Sequence, residues 1–314
     1  MKRNFTLCAV LAAAMLLIPL TGIREKAEEP VINVSTQDDY DGFISVMKTD
    51  DGVIEEIPER EYLIGALAAE ADMSHHDEAL KAQCVACYTY ALYTKGSKEN
   101  GEADISDNTK EHQGYLSKSE RQKKWGDNFS KNEEKATDIV ESVLGEAIYY
   151  EDKPIMAVYH ALNSGTTQSA QTVWKKSYPY LVKVESPGDK LAVDYTEKVD
   201  FTYEDFKEKI TKIDGVTLGE DKEKWIGQIE KNPSGYVLGI YIGGNEVAAA
   251  DVRTALELRS CCFDVDTSED EITFETYGYG HLVGMSQYGA DYMARQGSDY
   301  REILTYYYPN TKIK

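Results

Sequence analysis

The stretch "PEREYLIGALAAEADMSHHDEALKAQCVACYTYALYTKG" occupies residues 58–96 and predicts two consecutive helices. Pro58 suits the first turn of a helix, and the acidic residues that follow it favour the positive end of the helix dipole. Asp77 begins a second, longer helix, which Gly96 ends. Apolar and small residues recur every three or four positions, so each helix has an apolar face.

Glu70 lies on the apolar face of the first predicted helix. Leu63, Ala66, Leu67 and Glu70 fall at i, i+3, i+4 and i+7. A charged side chain rarely lies on such a face without a partner or a purpose. Partial burial would raise its pKa and give a carboxylic acid that can deliver a proton near neutral pH. The alternative is a glutamate at the edge of the face that reaches solvent or caps a neighbouring group.

Lys81 and Tyr88 lie seven residues apart on the second predicted helix and therefore share a face. Lys81 could pair with Glu70, hold an anionic group of a ligand, or remain a solvated lysine. We expect both side chains to point toward Glu70.

Four cysteines follow the apolar N-terminal segment: Cys84, Cys87, Cys261 and Cys262. Cys84 and Cys87 lie three residues apart in an alanine-rich helical pattern, which is typical of small core residues. Two alternatives stay open: a zinc site that adds His75 or His76, and disulfides to the second cysteine pair. We expect no metal and no cofactor.

The N-terminus carries a candidate membrane anchor. Residues 5–23 form a run of nineteen uncharged residues, preceded by Lys2 and Arg3 and followed by a polar linker over residues 24–38. That length matches a membrane-spanning helix, and the preceding positive residues stay on the cytoplasmic side. We therefore expect a single-pass membrane protein with its main domain outside the cytoplasm. A cleaved signal peptide is the alternative, although the run ends in a poor match to a cleavage site.

The composition disfavours several classes of partner. A formal net charge of −21 over 314 residues argues against binding nucleic acid or an anionic membrane surface, because both need clustered lysine and arginine. The 23 tyrosines suit amphipathic recognition surfaces. The residues beyond the anchor can bury a full core, as one large domain or as two lobes.

The remaining pattern predicts an α+β fold, with helices early in the chain and antiparallel strands late. A hairpin is predicted around Asp51-Gly52, and a strand pair at 147–150 and 155–161. Further strands are predicted at 181–185, 236–242, 246–249 and 272–277, and further helices at 133–144, 203–210, 253–258 and 286–295. We expect three parts: residues 1–28 with the anchor, a helical lobe over 29–145, and a strand-rich lobe over 146–314, with a cleft between the lobes.

Two further stretches carry candidate functional residues. "YGYGHLVGMSQYGA" (277–290) places glycines around His281, and such a cluster marks left-handed turns or a close approach to the main chain. Its Gly-x-Ser-x-x-Gly spacing differs from the Gly-x-Ser-x-Gly of a nucleophile elbow, which disfavours a serine hydrolase. "ALNSGTTQSAQTVW" (161–174) predicts a polar loop ending in Trp174, either a platform for a sugar or a lid over the core.

Taken in order, "LAAEADMSHHDEALKAQCVACYTYAL", "LNSGTTQSAQTVW" and "YGYGHLVGMSQYGADYMARQG" resemble the successive signatures of the stage II sporulation protein D family. The resemblance runs from about Pro58 to Pro309. It implies a lytic transglycosylase that cuts peptidoglycan glycan strands during engulfment, anchored in the mother-cell membrane and facing the forespore. As partners it implies the sporulation amidase (stage II sporulation protein P) and membrane protein M of the engulfment complex.

The resemblance also assigns roles to residues. Glu70 matches the family's catalytic glutamate, and the glycine-rich motif around His281 is placed beside the cleft, where its glycines would let the main chain approach a glycan. The substrate-binding residues that it implies are Lys81, Tyr88, Asn163, Ser164, Gly165, Thr167, His281, Ser286 and Gln287. The sequence departs from the family pattern at three places: Tyr88 replaces an arginine, Leu282 replaces a glycine, and Asn163-Ser164 replaces Ser-Gly.

The implied reaction cleaves the MurNAc–GlcNAc β-1,4 bond and leaves a 1,6-anhydro-MurNAc end. One acid/base residue suffices, because the nucleophile is the substrate's own C6 hydroxyl. A glycoside hydrolase usually needs two carboxylates at a fixed separation. Asp72 points to a different face of the helix from Glu70, whereas a distant acid such as Glu111 could fold close. The alternative from another class is a catalytically silent peptidoglycan-binding scaffold that positions a partner amidase.

Overall fold

The hairpin predicted around Asp51-Gly52 opens the described part of the chain. The computed structural model describes residues 42–97, 103–109 and 111–314, so the predicted anchor and linker lie outside the described residues. Gly52 has a φ of +72°, a left-handed turn conformation that glycine adopts readily, and the two flanking strands pair antiparallel. None of the described helices is long and apolar enough to cross a membrane.

Helices and short strands are interspersed through the described chain, mostly in consecutive groups of one kind. The helices are α1 (Glu59–Glu70), α2 (Asp77–Ser97), α3 (Lys118–Trp125), α4 (Phe129–Val143), α5 (Ala170–Trp174), α6 (Tyr203–Ile210), α7 (Ala249–Leu256), α8 (Gln287–Arg295) and α9 (Tyr300–Tyr307). The strands are β1 (Phe43–Met47), β2 (Ile54–Pro58), β3 (Ile105–Ser106), β4 (Ile148–Tyr150), β5 (Lys153–Pro154), β6 (Tyr159–His160), β7 (Thr196–Thr202), β8 (Ile226–Lys231), β9 (Val237–Ile242), β10 (Asn245–Ala248), β11 (Phe263–Thr267), β12 (Glu271–Tyr277), β13 (Met285–Ser286) and β14 (Lys312–Ile313). The predicted α+β class is confirmed.

The predicted helix pair forms α1 and α2, with ends close to the predicted positions. The chain leaves the helical conformation at Ala71, and the Asp72 carboxylate then accepts a hydrogen bond from the Ser74 N–H at 2.8 Å. This local bond turns the chain toward Asp77, which opens the first turn of α2. Most of α1 is buried, so packing fixes the position of Glu70 at its end.

Two hydrophobic cores lie within the compact unit Gly42–Lys314. The first core combines the β1–β2 hairpin with α1, α2, α4, α8 and α9, from residues 44–181 and 283–308. The second core lies within residues 201–282, where two antiparallel sheets (β11-β12-β7 and β10-β9-β8) pack with α6 and α7. Leu282 belongs to the second core and Val283 to the first, so the segment around His281 joins the two cores.

Several predicted elements are wrong. Residues 181–185 do not form a strand, and within 155–161 only Tyr159–His160 pairs, in parallel with Met285–Ser286. The sequence pattern also does not predict α3, α9 or β7. A short apolar run fits irregular extended chain as well as a strand, because periodicity does not reveal whether a partner strand is present.

Candidate active site

Glu70 is the last residue of α1 and is half-buried. The Gly114 N–H donates a hydrogen bond to Oε1, and the Tyr159 hydroxyl hydrogen-bonds the carboxylate. Burial raises the pKa of Glu70 above its ordinary value, while these hydrogen bonds and the positive charge of Lys124 oppose the rise. The net effect is a carboxyl group that keeps its proton to a higher pH than an exposed glutamate does.

Gly114 can approach Glu70 because it has no side chain. A Cβ at position 114 would lie 3.0 Å from Ala69 Cβ and 3.1 Å from Glu70 Oε1. The neighbouring Gln113 is buried and anchors this loop: its Nε2 donates to the Tyr62 hydroxyl at 2.6 Å and to a carbonyl oxygen of α2 at 2.9 Å. Side chains of the core therefore hold the main-chain donor against the carboxylate.

Tyr159, on the short strand β6, supplies the second donor to Glu70. Its hydroxyl also lies 3.2 Å from Gln113 Oε1 and accepts a hydrogen bond from the Cys87 thiol at 3.6 Å. Burial raises the pKa of the Tyr159 phenol well above its ordinary value, so the phenol keeps its proton. A single phenol proton thus has two acceptors, Glu70 and Gln113, and an ionised Glu70 is the stronger of them.

A cavity of about 760 Å³ opens on one side of Glu70, and we call it the aromatic cavity. Its aromatic lining residues are Tyr90, Tyr159, Trp174 and Tyr178, and its other titratable lining residues are Glu111, His112, Lys176 and His281. This volume is typical of small-molecule sites, and aromatic rings with polar groups around them suit amphipathic ligands such as sugars.

A second cavity, of about 800 Å³, shares Ala69 and Glu70 with the first, and we call it the lysine cavity. Its other ionisable lining residues are Asp72, Lys124, Lys131 and Lys135. Glu70 is therefore the titratable residue that the two cavities have in common. Lys124, rather than Lys81, is the cation that acts on the Glu70 carboxylate.

His281 lines the aromatic cavity as a neutral side chain. Its Nδ1 accepts a hydrogen bond from the Val283 N–H at 3.1 Å, and its ring centre lies 5.2 Å from that of Trp174. Burial, together with the positive charge of Arg253, lowers the pKa of His281 to about 4. Near neutral pH, His281 can therefore shape the cavity wall but carries no charge to offer a ligand.

The glycines around His281 serve packing within the protein. A Cβ at Gly278 would lie 2.7 Å from the Leu162 carbonyl oxygen, and one at Gly284 would lie 2.0 Å from that of Val158. Both glycines have positive φ, at +78° and +73°. These glycines let the segment lie directly on residues 158–163, and the expectation that they also admit a glycan stays a prediction.

Gln287 and Ser286 act at the junction of α1 and α8. Gln287 Nε2 donates to the main-chain oxygen of Glu70 at 2.8 Å and to Gln83 Oε1 at 3.2 Å, which ties the start of α8 to the end of α1. Ser286 is fully buried, caps the first turn of α8, and donates to the carboxylate of Asp189. Gln287 therefore fixes the main chain at Glu70, and Ser286 fixes the start of the helix that carries Gln287.

The predicted substrate-binding loop of Asn163, Ser164, Gly165 and Thr167 lies around the buried Asp189. The Asn163 N–H donates to Asp189 at 2.8 Å, and Asn163 Oδ1 accepts from the Gly165 N–H at 2.6 Å. Thr167 is fully buried, and Ser164 accepts a hydrogen bond from the Cys262 thiol. These four described residues do not line either cavity, so their contact with substrate stays a prediction.

The expectation that Lys81 and Tyr88 point toward Glu70 is wrong. Lys81 pairs with Glu78 at 2.7 Å. Tyr88 is buried, and its hydroxyl donates to Glu59 Oε2 at 2.9 Å, at the opposite end of α1 from Glu70. Because α2 runs back along α1, two helical turns along α2 bring position 88 opposite the start of α1.

All four described cysteines are buried free thiols. Cys84 and Cys87 belong to the first core and Cys261 and Cys262 to the second, so the pairs form no disulfide with each other and the first pair consists of core residues. Burial raises the pKa of Cys87 to about 12, which disfavours the thiolate that a zinc ion needs. Within the described residues, no group of three or more His, Cys, Asp or Glu side chains is placed to hold a metal ion.

Three residues that contact or act on Glu70 could not be predicted as site residues from the sequence. Gly114 acts through its main-chain N–H, which almost every residue has. Tyr159 is one of 23 tyrosines and lies 89 residues from Glu70 in a run predicted only as a strand. Lys124 lies in α3, a helix that the sequence analysis does not predict.

Comparison with known proteins assigns the chain to a family. The family model described as "Stage II sporulation protein" matches residues 48–150, which include Glu70 and its donor Gly114 but end before Tyr159. Stage II sporulation protein D of Bacillus amyloliquefaciens is 35% identical over 297 residues, covering 93% of this chain and 83% of the relative. The protein of the same name from Bacillus subtilis (strain 168) is 34% identical over 326 residues, covering 98% and 93%.

The chain belongs to the stage II sporulation protein D family, a family of sporulation proteins. A more distant relative is the amidase enhancer of Bacillus subtilis (strain 168), 28% identical over 303 residues. That alignment covers 80% of this chain and 40% of the relative.

Proposed function

We propose that the protein is a peptidoglycan lytic transglycosylase in which Glu70 is the acid/base residue. The observation that carries the proposal is the position of Glu70, whose half-buried carboxyl group has a raised pKa and lines both cavities. A polymer that ran from one cavity into the other would pass over this carboxyl group. Membership of a family of sporulation proteins is consistent with a cell-wall polymer, and the anchor predicted at residues 5–23 would place the enzyme outside the cytoplasm, where that polymer lies.

In the proposed reaction, protonated Glu70 gives its proton to the glycosidic oxygen as the bond to C1 of MurNAc breaks. The carboxylate then accepts the proton of the MurNAc C6 hydroxyl, whose oxygen bonds to C1 and closes the 1,6-anhydro ring. Glu70 ends as it began, and no water is consumed. The raised pKa supplies the first proton, and the Gly114 and Tyr159 donors stabilise the carboxylate between the two transfers.

Two alternatives each have an observation in their favour. Glu111 lines the aromatic cavity together with Glu70, so it could serve as the second carboxylate of a hydrolase. The relative named amidase enhancer favours a scaffold that binds glycan and assists a partner amidase without cutting the strand itself. The products formed from purified peptidoglycan separate the three.

The test is mass spectrometry of products released from purified peptidoglycan by the wild type and by Glu70→Gln. The glutamine keeps the shape and removes the titratable proton, so we expect turnover to fall by about 100- to 10,000-fold with an unchanged melting temperature. Asp72→Asn is the matched control, because Asp72 lines the lysine cavity two residues after Glu70 in the chain. The amide oxygen of the new asparagine can still accept the hydrogen bond from the Ser74 N–H.

The transglycosylase is supported if the wild type and Asp72→Asn form anhydro-MurNAc ends and Glu70→Gln does not. Reducing ends lost in both Glu70→Gln and Glu111→Gln would establish the hydrolase instead. If the folded wild type releases no product, the scaffold is correct.

A further inference from the structure

The lysine cavity reverses the charge balance of the chain as a whole. The sequence has 34 Lys and Arg against 55 Asp and Glu, yet three lysines and two acids line this cavity. One of the two acids is Glu70, which is protonated when the proposed reaction begins. The cavity is therefore a cationic depression beside the catalytic carboxyl group of an acidic protein.

Two of the lysines are held in place by main-chain oxygens at the end of α1 and in the turn that follows it. Lys124 Nζ donates to the Ala68 carbonyl oxygen at 2.6 Å, and Lys135 Nζ donates to those of Met73 and His75, both at 2.9 Å. These bonds fix the ammonium groups relative to Glu70. An ammonium group has three N–H donors, so Lys124 keeps a donor for a ligand.

Lys131 and Lys135 lie four residues apart on α4 and line the same cavity. Like charges at this spacing repel each other and destabilise a helix, and Lys131 is exposed. Asp77 already offsets the charge of Lys135, whose Nζ lies 3.1 Å from the Asp77 carboxylate, so Lys131 and Lys124 are the ammonium groups placed to hold an anion in this cavity. Trp125, half-buried at the same wall, offers an aromatic surface for a sugar ring.

We propose that the lysine cavity is a binding site for a carboxylate carried by the glycan, and that it favours muramic-acid strands over neutral N-acetylglucosamine strands. The inference rests on the proposed function, which supplies the glycan polymer. It adds the chemical group that the polymer must carry, a carboxylate. The carboxylate has two sources, the free lactyl group of a peptide-free muramic acid or the carboxyl groups of a peptide stem. Both present the same anion to the lysines.

The experiment measures binding in the Glu70→Gln background, where strands are not cut, by calorimetry at low and high salt. The probes are peptide-free glycan, stem-bearing glycan and a neutral β-1,4-linked N-acetylglucosamine oligomer of matched length. We expect the charged glycans to bind more tightly than the neutral oligomer, with the preference falling at high salt. Adding Lys131→Gln should reduce that preference by about 1.5- to 5-fold while leaving the neutral oligomer unaffected.

Lys123→Gln is the control, since Lys123 is an exposed lysine of α3 that does not line the cavity. Tighter binding of peptide-free glycan assigns the lactyl carboxylate, and tighter binding of stem-bearing glycan assigns the peptide. Equal affinity for charged and neutral glycans overturns the proposal, as does an equal loss in Lys131→Gln and Lys123→Gln. Because binding is measured without cleavage, a lysine-dependent preference would stand even if the transglycosylase proposal failed.

Discussion

Replacing Tyr159 by phenylalanine should shift the pH dependence of the proposed reaction to higher pH. The substitution keeps the ring and removes the hydroxyl that hydrogen-bonds the Glu70 carboxylate. A donor stabilises the ionised form of a carboxyl group, so its loss raises the pKa of Glu70 further. The general acid must be protonated, so activity that declines as pH rises through this pKa should persist to higher pH in the variant.

The size of the shift follows from the two acceptors of the phenol. A hydrogen bond to a charged group contributes about 1.5–3 kcal/mol, and one to a neutral acceptor about 0.5–1.5 kcal/mol. When Glu70 is protonated, the phenol can turn to Gln113 Oε1, 3.2 Å away, and recover the smaller amount. The difference is about 1–1.5 kcal/mol, which corresponds to about one pH unit in the midpoint of the decline.

The assay is the pH profile of kcat/KM for glycan cleavage, with Tyr178→Phe as the control. Tyr178 lines the same cavity but its ring packs on Tyr180, so the same loss of a hydroxyl should leave the midpoint in place. Lys124 and the neighbouring Tyr62, which both act on Glu70, remain in both variants, so the two profiles differ only in the hydroxyl that is removed. A lower rate with an unshifted midpoint would refute the reasoning and reduce Tyr159 to a packing residue.

Two further predictions concern stability. Tyr88→Phe should lower the free energy of unfolding by about 1–3 kcal/mol, because the buried Glu59 carboxylate loses the hydroxyl donor that lies 2.9 Å away. Activity per folded molecule should stay unchanged. Urea denaturation measures the first effect, and activity assays on the same samples measure the second. Arg121→Ala should lower the free energy of unfolding by about 3 kcal/mol, because the fully buried guanidinium pairs with Glu61 at 2.9 Å and with Glu133 at 2.7 Å. A variant that melts at the wild-type temperature would contradict this prediction.

The sequence was informative where a local pattern determines the structure. The α1–α2 pair and the hairpin before it follow from capping residues, turn residues and the spacing of apolar positions, all of which act within a few residues. The same spacing placed Glu70 on an apolar face, and its partial burial with a raised pKa agrees with that expectation. Tyr88 shows the limit of the method, because helical spacing gives the face of a residue but not which end of the neighbouring helix that face meets.

The environment of Glu70 could not be predicted, because it is assembled from segments that the chain brings together over long distances. Gly114 supplies its donor from 44 residues away, and Gln287 reaches the main-chain oxygen of Glu70 from 217 residues away. The groups used are a main-chain N–H, a phenol and an amide, which occur throughout the sequence and carry no spacing of their own. The proposed reaction needs a single acid/base residue and no second carboxylate at a fixed distance, so Glu70 is the one residue of it that the sequence pattern marks. The surroundings of Glu70 depend on the packing of α1 against the loop at Gln113 and against the start of α8.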